Sequence, residues 1–522
     1  MRVFIPTAGT GSRLGLLTKN LNKSLLTIGN KPVISHIIDV YPPSTEFVIA
    51  LGFDGKKVKD YLNICYPKKK FYFIKINNFK GIGSGLRHTL IKCEKKLQKP
   101  FIFHACDSII SGPIPKLNEN WIGTSGLVKN NQYRLIEVKN KQIIFHEKNI
   151  KKNFNFLTYI GVCKVKDYKI FWKNLKKEKK NTGEVSGLKA LVKNQKNVLI
   201  KKFKWHDSGN ILSLNKVRKI NKLKFANVLE KESEAIWFVN NNVIKYHQEK
   251  NFIKNRVLRQ KILKKYTPKI IRWKDNFYLY KKKKGVIISK KINNRIFRNL
   301  LKYLKKFWFK NKINISKKKI LKDSLSFYKS KTYIRADLFL KKNPNIDNIK
   351  YINNIKIFGI KKLLEKINWN YICNGIPCNF HGDLHFENIL FTNNKKFILL
   401  DWRQDFNNSL DYGDLYYDLA KIMHGLIISH QKILNEQYSI KMLNNNSVKI
   451  NLSISKKYKE LLIIYVNWIK KNNYDLEKIN ILTALIFLNI APLHTKNYSI
   501  YLFHLSKLLL SNKNYLFSYL KL

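Results

Sequence analysis

From residue 1 to about 225, the chain alternates short apolar runs with segments of helical spacing. This alternation restricts the fold more than any other property of the sequence. The runs 3–6, 47–51, 71–76 and 101–105 read as buried strands, and 32–40, 54–63 and 84–97 as the helices between them. Strands alternating with helices pack as crossover units on a mainly parallel sheet. Ligands on such sheets collect at the carboxyl ends of the strands. Two segments fall there: the glycine-rich stretch 9–15 after the first strand, and Asp107 after the fourth.

Composition changes at 225–235, where Glu230, Glu232 and Glu234 interrupt a basic background. We place a boundary near 227, giving one domain over 1–227 and a second over 228–522. Beyond it, apolar runs at 236–239 and 243–246 flank Asn240-Asn241-Asn242, a hairpin pattern. A helix is expected at 251–265, and from about 295 onward the pattern is helical apart from 380–402. A length of 522 residues exceeds one compact core. An apolar content of 44% with 13% aromatics fits filled cores rather than disorder.

Lys and Arg number 101 against 33 Asp and Glu, a formal net charge of +68. The cations are spread along the chain among Asn and Ile. Clusters at 68–70, 281–284 and 317–319 read as solvated loops or helix ends, with no nucleic-acid module between them. Small anionic substrates and nucleotides, rather than nucleic acid, are therefore the expected partners. The six cysteines (65, 93, 106, 163, 373 and 378) form no C-x-x-C pair, which argues against a disulfide framework or structural zinc. No secretory leader pattern precedes the first strand, and the apolar stretches 461–469 and 481–491 are too short or interrupted to span a bilayer. A cytoplasmic protein is expected.

The glycine-rich stretch reads Thr7-Ala8-Gly9-Thr10-Gly11-Ser12-Arg13, with Lys23-Ser24-Leu25-Leu26 and Lys31-Pro32-Val33-Ile34 following. Backbone N–H groups of such a turn can cradle phosphates, because glycine permits close approach and positive φ. Arg13 and Lys23 add fixed positive charge against a triphosphate. The set resembles the nucleotidyltransferases that join an NTP to a sugar phosphate or to phosphocholine. Their signature is G-x-G-x-R, a Pro-Lys dipeptide and a K-P-apolar helix start. Asn22 stands where that family has proline, a difference expected to affect loop stiffness more than chemistry.

The resemblance implies a Rossmann-like nucleotidyltransferase domain. Ala8, Gly9, Thr10, Gly11 and Ser12 would bind nucleotide phosphates, with Arg13 and Lys23 catalytic. Gly83 and Ser84, within 81–85, would lie beside the base. Asp107, and Asp207 in Trp205-His206-Asp207-Ser208-Gly209-Asn210, would hold Mg²⁺. Glu184, after Asn181-Thr182-Gly183, would contact the acceptor. The competing reading makes Asp107 a strand-end cap and Asp207 an Asx turn beside Gly209.

The second motif is His381-Gly382-Asp383-Leu384-His385-Phe386-Glu387-Asn388, followed by an apolar run into Asp401-Trp402. Phosphoryl transfer needs a carboxylate to orient a hydroxyl and oxygen ligands to hold Mg²⁺ against ATP. Asp383 and Asn388 have the spacing of the kinase loop H-R-D-x-x-x-x-N. With the 410–420 segment Leu-Asp-Tyr-Gly-Asp-Leu-Tyr-Tyr-Asp-Leu-Ala, the motif resembles the choline kinase and aminoglycoside phosphotransferase branch of the kinase-like fold.

That resemblance implies a protein-kinase-like, two-lobed domain with a small α+β lobe and a large, mostly helical one. Asp383 would be the base, Asn388 and Asp401 would hold Mg²⁺, Lys245 would meet ATP phosphates, and His381 would hold the loop. Asp414 and Asp418 are expected to satisfy backbone or Arg403. No glycine-rich loop precedes Lys245, and its acidic partner must be Glu249, Glu230, Glu232 or Glu234. Trp369, Trp402, Tyr416, Tyr417 and Trp468 read as core rather than as a cage for a quaternary ammonium group.

Together the two halves imply a bifunctional transferase. ATP phosphorylates a small alcohol, amino alcohol or sugar, and an NTP (CTP or UTP) then donates a nucleotidyl group to that phosphate, releasing pyrophosphate. The product would feed surface polysaccharide or head-group synthesis. Choline-like and sugar-like acceptors both fit. The other readings are one inactive or regulatory domain, or a basic nucleic-acid-binding scaffold built on degenerate enzyme folds. The latter would show steeply salt-dependent binding without turnover.

Overall fold

A computed structural model of the chain describes residues 1–116, 118–126, 132–139, 142–147, 156–178, 183–194, 197–220, 233–494 and 496–520. The boundary expected near 227, together with Glu230, Glu232, Asn181 and Thr182, lies outside the described residues. By contacts, the chain divides into two compact units. One comprises 1–253 with 270–282, the other 254–269 with 283–522.

In the first unit, four strands run parallel in the spatial order Lys70–Lys75, Glu46–Leu51, Arg2–Pro6, Phe101–His104. Val3, Phe4 and Ile5 are fully buried, as expected for a strand covered on both faces, which needs a continuous apolar run. In chain order these strands run third, second, first, fourth, so the direction of winding reverses between Arg2–Pro6 and Phe101–His104. Such a reversal opens a crevice at the strands' carboxyl ends. Helices Val33–Asp39, Gly55–Cys65 and Leu86–Cys93 connect the strands, as the apolar spacing predicts. Leu157–Val165 extends the sheet antiparallel to Phe101–His104, and Asn120–Ser125 pairs with it in turn.

The expected hairpin joins Glu234–Val239 to Asn242–His247. Asn240 and Asn241 have φ of +50° and +59°, the paired positive values of a type I′ turn, which asparagine tolerates. With Phe277–Lys281 and Ile270–Lys274 they form a four-stranded antiparallel sheet in the first unit. Its fully buried Trp237 packs on Tyr61 with ring centroids 5.3 Å apart.

The second unit is mainly helical. Helix Leu415–Ile427 is its most enclosed element, with every residue except His424 buried. The hairpin Ile389–Phe391 with Phe397–Leu399 carries the catalytic-loop motif on one side and Asp401 on the other. The span Leu476–Leu493 is long and apolar enough to cross a bilayer by length and composition, but 67% of it is buried inside the protein. Trp369, Trp402, Tyr416 and Tyr417 are buried in the core, and Trp468 stacks on Tyr465. All six cysteines are buried and unpaired.

Candidate functional site

A cavity of about 300 Å³ opens at the winding reversal, and its walls include Ala8, Gly9, Arg13, Lys23, Gly85 and Asp107. The glycine-rich turn that forms one wall needs glycine at 11. Its φ is +71°, and a Cβ there would press on Thr18 and Lys23 at 3.0 and 3.2 Å. Thr10 is half-buried and Ser12 exposed on the same turn.

Asn22 braces the turn. Its Nδ2 donates to the Thr7 carbonyl at 2.9 Å and the Phe53 carbonyl at 2.6 Å. Its Oδ1 accepts from the Ser24 N–H at 3.0 Å and the Ser24 hydroxyl at 2.7 Å. Fully buried, it ties the first strand's exit to the segment carrying Lys23.

Lys23 Nζ lies 2.8 Å from Asp107 Oδ2, and Arg13 Nη2 lies 4.0 Å from the same oxygen. Burial alone would raise the Asp107 carboxyl, but the Lys23 ammonium more than offsets it and holds the acid below its usual range. Burial would likewise lower Lys23, yet Asp107 raises it above the ordinary lysine value.

Asp207 reaches the same place through strand pairing. Lys204–Asp207 runs antiparallel to Ser108–Ser111, which sets Asp207 opposite Ser108. A Cβ built on Gly209 would lie 3.0 Å from Asp107 Oδ2, 3.1 Å from Asp207 Oδ1 and 3.3 Å from Arg13 Nη2. Two carboxylates thus face one small space. Asp207 accepts from the Tyr133 hydroxyl at 2.9 Å and the Gly209 N–H at 3.0 Å. Burial, and then the Asp107 charge, push its carboxyl up.

A divalent cation in that space would relieve the repulsion, so the donor set fits one. No cluster of three or more His, Cys, Asp or Glu suited to a metal occurs among the described residues. The two carboxylates would thus supply part of a shell, and Mg²⁺ usually completes its shell with phosphate oxygens and water.

Gly83 and Ser84 occupy a turn at the surface, where the Ser84 hydroxyl donates to the Gly81 carbonyl at 2.6 Å. Their neighbours Gly85 and Leu86 line the cavity. Glu184 is buried at the start of helix Val185–Lys193 and accepts from the Tyr159 hydroxyl at 2.9 Å. Burial raises its carboxyl.

In the second unit, Asn388 meets Asp383, and the backbone brings Asp401 next to Asn388. Asn388 Nδ2 donates to Asp383 Oδ2 at 3.1 Å and to the Asp383 carbonyl at 2.9 Å. The Leu400 N–H donates to the Asn388 carbonyl at 2.7 Å, which places Asp401 beside Asn388. Asp401 has φ +54° and an ion pair with Arg256 at 3.3 Å.

His381 is fully buried and neutral, and burial lowers it to about 3. Its Nδ1 accepts from the Asp383 N–H at 3.2 Å, so the proton sits on Nε2, which donates to the Leu400 carbonyl at 2.9 Å. Asp418 accepts from the His381 and Gly382 N–H groups at 2.8 and 2.7 Å and from the Trp308 indole at 3.0 Å. Asp414 accepts from the Ile376 and Tyr416 N–H groups and the Tyr328 hydroxyl. Both brace the site through backbone and aromatic donors, not through Arg403. Lys245 lies buried on Asn242–His247, opposite Ile236 and Tyr278, and therefore belongs to the first unit.

Sequence reasoning missed Lys421, whose Nζ is 3.0 Å from Asp383 Oδ1. It directly follows the Asp-Leu-Ala of the second motif, one turn of helix after Tyr417, and that position was a usable signal. Tyr133 and the buried Arg259 were also missed. Arg259 donates to the Leu410 carbonyl at 3.1 Å and to the Arg403 and Phe380 carbonyls, and no local pattern announces it.

Residues 363–439 match the phosphotransferase enzyme family. The segment holds the catalytic loop, the hairpin and helix Leu415–Ile427. The chain is also similar to a bifunctional protein GlmU from Methanococcus vannielii, 29% identical over 231 residues, covering 41% of this chain and 54% of that protein. A probable glucose-1-phosphate cytidylyltransferase from Bacillus subtilis is 36% identical over 63 residues, covering 12% of this chain and 25% of that one. The chain spans about half the length, or less, of these curated relatives. A solved putative glucose-1-phosphate thymidylyltransferase from Bacillus anthracis aligns at 19% identity with a TM-score of 0.36, covering 44% of this chain and 98% of that one. The chain thus joins a region resembling sugar-phosphate nucleotidyltransferases to a phosphotransferase-family segment.

Proposed function

We propose that this chain is a bifunctional, cytoplasmic transferase. Its domain at 228–522 phosphorylates a small alcohol, amino alcohol or sugar with ATP. Its domain at 1–227 transfers a nucleotidyl group from CTP or UTP onto the resulting phosphate, making a precursor for surface polysaccharide or head groups. The observation that carries the reading is the convergence of Asp107, Asp207 and Arg13 on one point beside Gly209, at the mouth of the cavity holding Lys23. The phosphotransferase-family match around Asp383 supports the other half.

At the first site, an acceptor phosphate oxygen forms a bond to the α-phosphorus as the bond from that phosphorus to the bridging oxygen breaks, and pyrophosphate leaves. Ala8, Gly9, Thr10, Gly11 and Ser12 would hold the triphosphate, Gly83 and Ser84 would lie at the base, and Glu184 would face the acceptor. Arg13 and Lys23 would sit against the charge on the departing pyrophosphate. Lys23 would exchange its pairing with Asp107 for phosphate oxygens.

At the second site, the acceptor hydroxyl oxygen bonds to the γ-phosphorus, the γ-phosphorus–bridging oxygen bond breaks, and the hydroxyl proton passes to Asp383. Lys421 and His385 hold the Asp383 carboxyl well below its usual range despite burial. So weak a base orients the hydroxyl and takes its proton late, which suits a loose transition state. Mg²⁺, when bound, would neutralise phosphate charge. Asp107 and Asp207 would hold it at one site, and Asp401 with Asn388 Oδ1 at the other, since the Asn388 Nδ2 is already engaged with Asp383.

The test is to incubate the full chain with Mg²⁺, ATP, each NTP and a panel of alcohols, sugars and their phosphates, following ADP and pyrophosphate. ADP should appear with one class of hydroxyl acceptor, and pyrophosphate with its phosphate ester. Folded protein releasing neither with any combination would contradict the reading.

A further inference from the structure

We propose that the phosphotransferase site takes an anionic acceptor: a small hydroxyl compound that also bears a carboxylate or a phosphate. The proposal rests on the kinase reading of Asp383.

Four cations gather around that carboxylate. Lys421 is 7% exposed and touches Asp383 Oδ1. Arg403 lies against the catalytic loop, where a Cβ on Gly382 would meet the Arg403 Cβ at 2.7 Å. Its guanidinium stacks on the Phe327 ring at 4.6 Å, and its Nε is buried without a hydrogen-bond partner. Lys331 Nζ lies 5.2 Å from the centre of the same ring. Arg335 follows one turn later on helix Lys331–Lys342, on the same face.

Among the described residues, no carboxylate lies within ion-pair distance of Lys331, Arg335 or Arg403. Burial, and then the charges of Arg403, Lys421 and Arg335, hold the Lys331 ammonium well below its ordinary range, with Asp383 opposing.

Solvated lysines are ordinary in so basic a chain, but a buried lysine on the proposed base and an orphaned guanidinium nitrogen are not. The backbone contributes as well. Phe327 sits in a π-helical turn, Ser326–Ser330, inserted between helices Lys317–Leu325 and Lys331–Lys342. Such turns frequently occur at functional sites.

The two oxygens of Asp383 separate the roles. Oδ2 accepts from Asn388, on the side proposed for metal and ATP, while Oδ1 faces Lys421. The cations therefore serve the acceptor side. A choline-like acceptor would be repelled there, and of the aromatic residues that could have caged it Trp369, Trp402, Tyr416 and Tyr417 are buried in the core. The acceptor's anionic group is held but not transferred. Its hydroxyl proton goes to Asp383 and its oxygen to the γ-phosphorus.

The test uses the full chain with Mg²⁺ and ATP, and glycerate, glycerol phosphate, glycerol and choline as probes. ADP release gives turnover, and calorimetry gives binding. Glycerate or glycerol phosphate should bind, whichever is preferred identifying carboxylate or phosphate, and any turnover should favour that anion over glycerol. Lys331→Gln and Arg335→Gln, both at partly buried positions, should each weaken anion binding or raise the acceptor KM about tenfold, the loss expected for one charge-assisted hydrogen bond, with the ATP KM unchanged. Preference for glycerol or choline, absence of binding by both anions, or binding that survives in the Lys331→Gln/Arg335→Gln double variant would overturn the proposal. Loss of the kinase reading itself registers separately, as ADP release unaffected by Asp383→Asn.

Discussion

Asp107 and Asp383 are held ionised by the same device, a lysine at 2.8 Å in one case and 3.0 Å in the other. Removing one partner of such a pair leaves the other charge uncompensated. Lys421→Met should therefore lower kcat for ADP release and move the acid limb of its pH profile upward. An unchanged profile would show that Lys421 does not act through Asp383.

Asn22 carries a structural prediction. Asn22→Ala would strip the Thr7 and Phe53 carbonyls of their donor, costing roughly 1–3 kcal/mol per buried group left unsatisfied. Asn22→Pro suits the backbone there, at φ −58°, but should destabilise similarly. Urea midpoints of both variants check this.

Asn22 also marks the limit of legibility at this scale. Arg13 and Lys23 were expected from the resemblance of their motif and Asp383 from its loop spacing, because in each case the neighbours in sequence carry the signal. The Asn22 bonds reach Phe53, 31 positions away, and nothing local encodes them.

At the scale of elements, helix Leu415–Ile427 holds the catalytic loop through Asp418. Burial raises Asp418 from 3.8 to about 6. Between those values the folded state binds more protons than the unfolded, so the group's contribution is full below about pH 4 and is lost as pH rises through about 6. The window corresponds to on the order of 3 kcal/mol. Hydrogen exchange of the His381 and Gly382 amides, compared with Asp418→Asn, isolates it. Protection in the wild type should fall relative to the variant from pH 4 to 6, and parallel profiles would contradict the assignment.

The strands and helices of the first sheet were legible because burial on both faces demands unbroken apolar runs. The Asn240-Asn241 hairpin was legible because few residues accept two positive φ values. The π-helical turn at Ser326–Ser330 was not, since its one-residue offset leaves the helical periodicity of the flanking segments almost unchanged.

Over the whole molecule, a net charge of +68 sets stability against self-repulsion. Raising salt from about 0.01 to about 0.1 M shortens the screening length from about 30 to about 10 Å. The Tm of the full chain should rise by several degrees, and a fall would mean that specific surface pairs outweigh the repulsion.

The central claim is that one chain carries two independent centres for displacement at phosphorus. The most direct measurement follows ADP and pyrophosphate release by Asp107→Asn and Asp383→Asn in the full chain, with the acceptor supplied free or already phosphorylated. Asp383→Asn should lose ADP release yet still form pyrophosphate from the phosphorylated acceptor, and Asp107→Asn should do the reverse. Loss of both products in either folded variant, or of neither, would contradict the claim.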